Sequence, residues 1–150
     1  SFDFTAGGAF DPFNENGAGQ ATAYAQLLAL AQAFEDTGVR AYKGQAANLM
    51  GSAGVLTAAL QIHSVEARHA SEIRRLRGLE GWITGNQRGA GMPEATQAVY
   101  NGEDNISQGG VDVTTLGSGS PFTMDAATQA YDEILTRDEA VTIASLFIES

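Results

Sequence analysis

Two long stretches of helical periodicity, joined by a short break, constrain this chain more than any other feature. Over residues 21–50, Tyr24, Leu28, Ala31, Glu35, Val39 and Tyr42 recur at three- and four-residue steps, which places them on one helix face. Gly38 weakens that helix slightly, and Gly44 is expected to end or bend it. The Gly51-Ser52 pair makes the break, with Ser52 as the expected N-cap of the next helix. The second stretch, residues 53–77, stops at Gly78 and carries Val55, Ala59, Ile62, His63, Glu66, His69, Ile73 and Leu76 on one stripe. Arg68, Glu72 and Arg75 form its solvated face, and Arg74, Arg75 and Arg77 suit the negative end of the helix dipole. The reading is an all-α fold built on two long antiparallel helices. Two helices alone cannot bury both stripes, so the pair is expected to be half of a four-helix bundle.

The flanking sequence is less regular. Residues 1–20 set Phe2, Phe4, Phe10 and Phe13 among turn formers and read as an ordered arm whose rings dock elsewhere. Ten of the 18 glycines lie between Gly78 and Gly119, so residues 79–150 are expected to be loop-rich. Within them, Pro93 opens a short helix running to about Tyr100, and residues 101–122 read as an irregular excursion. Thr136 and Glu139 have capping-box spacing ahead of a short last helix containing Ala140, Val141, Ile143, Ala144, Phe147 and Ile148. There is no internal repeat and no second domain, so residues 1–150 form one unit: an arm (1–20), a helix pair (21–78) and a loop-rich region (79–150). The chain starts at Ser1 without methionine and is expected to be processed or a fragment.

The chemistry sits in the two stripes. A buried unpaired carboxylate costs several kcal/mol, so Glu35 and Glu66 each require a partner. Glu66 and His69, three residues apart, project the same way over one turn, where one oxygen and one nitrogen can meet a single cation. Glu35 can face them from the other helix. This is the donor pattern of di-iron and di-manganese carboxylate bundles, in which two helices each give a Glu and two give a Glu-x-x-His pair. Oxygen and nitrogen donors without thiolate suit iron or manganese, with zinc as a substitute. The competing arrangement turns Glu35 or Glu66 to the helix flank, paired with Arg40 or Arg68. Three residues are candidate supports beside the ligands. His63 precedes Glu66 by one turn and is expected to bond a carbonyl or water in the core. Tyr42 lies on the same face as Glu35, whereas Asp36 points about 100° away from Glu35 on an ideal helix.

Other chemistries are excluded. A net charge of -10, from 18 acidic and 8 basic side chains, repels phosphate backbones, so no nucleic-acid partner is expected. No apolar run approaches the roughly 20 residues of a membrane span, so no membrane insertion is expected. The lack of cysteine removes disulfides, thiolate zinc, iron–sulfur clusters and cysteine nucleophiles. No nucleophile elbow and no phosphate-cradling loop appears.

The segments AQAFEDTGVRAYKG (31–44) and LQIHSVEARHASEIRRLRG (60–78) resemble a bacterial and plant ferritin-like family that includes desiccation-related proteins. Members show Phe-Glu-Asp-x-Gly-Val-x-Ala-Tyr-x-Gly, here Phe34 to Gly44, and Val-Glu-Ala-x-His-Ala, here Val65 to Ala70. The likeness extends over roughly residues 1–148 and strengthens the assignment of Glu35, Glu66 and His69 as metal ligands. It also implies metal handling or oxidant protection and an extracytoplasmic setting. Two departures stand out. Only the second helix pair of the family's bundle is present, so a homodimer or a separate chain is expected to complete it. His63 also stands where the family usually has an aliphatic residue. A metal-free structural or assembly protein on the same bundle is the alternative.

Overall fold

The computed structural model describes residues 1–119 and 121–149. Helix α1 spans Gln20–Gln45 and α2 spans Ala53–Leu76, and they pack along each other as the expected pair. Their antiparallel register follows from contacts of Glu35 with His69, Val39 with His63 and Asp36 with Arg74. The α-helical part of the first element ends earlier than its periodicity suggests. After Gln45 the chain tightens into a 3-10 turn, Ala46–Leu49. Gly44 lies at a crossing: a Cβ there would sit 2.0 Å from the Leu135 carbonyl oxygen, so only glycine admits the passing strand of chain. Ser52 occupies the N-cap position of α2, but its side chain makes no capping bond. The other end is closed by a Schellman motif. Gly78 adopts φ +74°, Gly78 N–H donates to Arg75 O at 2.9 Å, and Leu79 N–H donates to Arg74 O at 2.9 Å.

Which face of α1 is buried differs from the sequence reading. The core joins Ala29, Leu30 and Ala33 of α1 to Phe10 of the arm and to Ile83, Met92, Val99, Tyr100, Leu135, Ile143 and Phe147. The loop-rich C-terminal region thus covers α1 on the side away from the predicted stripe. Tyr24, expected to face inward, is 56% exposed. Small alanines on several sides of α1 let it pack against two neighbours at once, which a single-stripe reading does not anticipate. Within the chain α1 thus has a second neighbour besides α2, whereas α2 buries only Ala59, Ala70 and Arg74 and leaves Val55, Leu60, Ile62, Val65 and Leu76 exposed.

In the arm, Phe10 docks fully, whereas Phe2, Phe4 and Phe13 stay partly exposed and pack on one another. Phe2 also meets Phe34 at 5.9 Å, and Phe34 meets Phe147 at 4.6 Å. The arm and the C-terminal segment pair directly, with Asp3 N–H donating to Phe147 O at 2.8 Å.

The short helix expected after Pro93 is a 3-10 helix, Glu94–Val99, with Pro93 at its N-cap and Tyr100 at its C-cap. The excursion at 101–122 is not wholly irregular. It holds a minimal hairpin, β1 (Ser107–Gln108) and β2 (Val111–Asp112), turned by Gly109 and Gly110, both at positive φ. A short helix that the sequence reading missed, α3 (Met124–Gln129), starts where Thr123 Oγ1 accepts from Ala126 N–H. The last helix, α4 (Arg137–Ser145), begins with the expected Thr136–Glu139 capping box.

Candidate metal centre

The antiparallel register brings Glu35, Glu66 and His69 to one seam between α1 and α2. His69 Nδ1 lies 3.2 Å from Glu35 Oε1. That contact is open to solvent on the α2 side, where the His69 side chain is 58% exposed. One turn along, Glu66 reaches across to α1 beside Gly38, one turn after Glu35. A Cβ at Gly38 would lie 2.5–2.6 Å from Glu66 Cδ and both its carboxylate oxygens. Glu66 Oε2 is buried and has no hydrogen-bond partner among the described residues. Burial pushes the Glu66 carboxyl up to about 7, the nearby Glu35 charge adds to the rise, and His69 opposes it.

Donor chemistry fits iron, manganese or zinc: two carboxylates, one imidazole and no sulfur. The orphaned Oε2 is the group a cation would satisfy. The fit is incomplete. Among the described residues, no three or more His, Cys, Asp or Glu side chains are grouped so that they could hold a metal ion. The seam presents part of a coordination shell rather than a closed one.

The flank-paired alternative is not what the structure contains. Arg40 binds Glu103, with Nε 2.7 Å from Oε1, and no ion pair joins Arg40 or Arg68 to Glu35 or Glu66 among the described residues. His63 behaves as a carbonyl-bonded histidine, its Nδ1 2.9 Å from the Val39 carbonyl oxygen. That bond places the ring proton on Nδ1. Tyr42 is half-buried on α1, and among the described residues no hydrogen bond links its hydroxyl to Glu35, Glu66 or His69.

Asp36 requires a correction: it is committed to a separate buried network and does not support the seam. Its Oδ2 accepts from Arg74 Nη2 and from the Tyr100 hydroxyl, the latter at 2.8 Å. Gln32 Nε2 donates to the same Tyr100 oxygen at 2.9 Å, and Arg77 donates to Gln32 Oε1. Burial raises the Asp36 carboxyl above the ordinary aspartate range, and Arg74 pulls against that rise. Arg74, read from sequence as a dipole-facing cation, is instead 3% exposed and holds α2 to α1. The available signal was that Asp36 and Arg40 continue the Ala29–Ala33 face at helical spacing, so charge lies inside an apolar stripe.

A family model described as a ferritin-like domain matches residues 1–79, which include the arm, both long helices and all three candidate ligands. The match ends near Gly78, so the likeness expected for the C-terminal region lies outside it. No curated protein and no solved structure matches the chain.

Proposed function

Since the chain belongs to the ferritin-like domain family, whose model matches more than half of it, we propose that it binds a metal through carboxylate and imidazole donors. Glu35, Glu66 and His69 are the ligands this chain contributes, and iron or manganese is the resident metal, with zinc as a substitute. The observation that carries this reading is Glu66: a carboxylate seated in the helix seam with one oxygen buried and unpartnered, next to a second carboxylate and a histidine.

When bound, the metal would supply Lewis acidity and, for iron or manganese, electron transfer. The chain's own residues bind and orient. Glu35 and Glu66 would offset the cation's charge, while His69 points Nδ1 at Glu35 and leaves Nε2 for another partner. Three donors fall short of a di-metal shell, and α2 exposes an apolar face. A second helix pair would complete both. A second copy of the chain, a separate chain or further sequence of the same polypeptide can supply it. Metal handling or protection against oxidants is the role that such a site serves best.

A metal-free structural bundle is the second reading, and it draws on the absence, among the described residues, of three donors grouped to hold a metal ion. Chelation separates the two. Glu66→Gln keeps volume and one acceptor oxygen but removes the charge. Wild type is expected to lose thermal stability when chelator is added, because bound metal stabilises the folded state by mass action. The variant should start lower and respond little. If neither protein responds to chelator, the structural reading is the correct one.

A further inference from the structure

We infer that Gly38 is a positioning residue for Glu66: the missing side chain opens a notch in α1 that seats the Glu66 carboxylate at the candidate metal centre. Glycine is a poor helix former, and Gly38 lies well inside the 26-residue α1. Its backbone does not need glycine, because it is helical and is not among the positive-φ residues. What needs glycine there is space. The three atoms nearest to a Cβ at this position are Glu66 Oε2 at 2.5 Å and Glu66 Cδ and Oε1 at 2.6 Å. A methyl group cannot share that volume with the carboxylate. The neighbour is the far end of a flexible side chain, so an alanine would evict the carboxylate and leave the helix pair assembled. Gly44, on the same helix, differs: there the neighbour is the main chain of Leu135.

The notch also explains how Glu66 reaches α1 deeply enough to bury Oε2. A side chain at position 38 would hold the carboxylate out toward solvent, away from the place where it lies one turn from the Glu35–His69 contact. The consequence for metal rests on the proposed function; the seating of Glu66 does not.

Two measurements on the full chain test it. The first compares thermal midpoints, in chelator, of four proteins: wild type, Gly38→Ala, Glu66→Ala and the double variant. Alanine at 38 should gain helix propensity in both backgrounds, but only in the Glu66 background must it displace a carboxylate from its preferred place. Gly38→Ala is therefore expected to shift the midpoint more favourably by a few degrees when residue 66 is alanine. Equal shifts in the two backgrounds would overturn the inference. The second is a titration with Mn(II) alone. Gly38→Ala is expected to weaken binding by about tenfold or more, the scale on which supports of metal ligands act. Unchanged affinity in a folded Gly38→Ala protein would overturn the positioning role. If wild type takes up neither Mn(II) nor, in parallel titrations, Fe(II) or Zn(II), the proposed function fails, while the four-protein comparison still decides whether Gly38 seats Glu66.

Discussion

Replacing Arg40 by alanine is expected to bring the fold close to collapse. Arg40 is 1% exposed, and its guanidinium holds the C-terminal region onto α1 at several points. It binds the Glu103 carboxylate and donates to the main-chain carbonyls of Val99, Asn101 and Glu133. Glu103, also 1% exposed, accepts in turn from Glu133 N–H at 2.9 Å. Removing one partner of a buried ion pair costs about 3–5 kcal/mol, because the other charge stays uncompensated. That is a large part of the roughly 5–15 kcal/mol that holds a domain together. The three carbonyls left without a donor add to the loss. Glu103→Gln should also be costly, since it leaves the buried Arg40 guanidinium without its counter-charge. The loss should be smaller than for Arg40→Ala, because the amide keeps an acceptor for Arg40 and burial already disfavours the Glu103 charge, pushing its carboxyl up to about 7 against the pull of Arg40. Urea unfolding would show the difference. Arg40→Ala within about 1 kcal/mol of wild type, the scale of exposed pairs, would mean that the pair does not anchor the C-terminal region.

Arg74→Ala should be comparably severe but differently distributed. Arg74 and Asp36 are both 3% exposed, and Tyr100 shares the Asp36 oxygen. The loss again falls in the range of about 3–5 kcal/mol. Its local effect should be on α2, whose only buried residues are Ala59, Ala70 and Arg74. Hydrogen exchange is expected to quicken in the C-terminal half of α2 while the core around Val99, Tyr100 and Phe147 keeps more of its protection. Equal loss of protection throughout would show that α2 does not open separately from the rest.

The long helices, their break and the capping box at Thr136 were legible because each is written locally, in periodicity and cap residues. So was the meeting of Glu35 and His69 across the helix pair, since antiparallel helices of similar length fix which turns meet. What was not legible depends on distant partners. The second buried face of α1 is defined by Phe10, Val99, Leu135 and Phe147, which lie far from it in sequence. Arg40 and Arg74 look like surface cations until Glu103 and Asp36 are brought to them. Gly38 reads as a residue that weakens the helix and Gly44 as one that ends or bends it, yet one makes room for a carboxylate and the other for a crossing main chain. Helix α3 has a cap residue, Thr123, but only six residues of helix, too few for a periodic signal.

Metal content decides whether Glu66 and His69 hold a cation. Wild type, Glu66→Ala and His69→Ala would be purified in parallel without chelator and assayed for iron, manganese and zinc by elemental analysis. One of these metals is expected in wild type and much less in each variant, with the variants still folded. Equal metal content in all three folded proteins, or none in wild type, would contradict it.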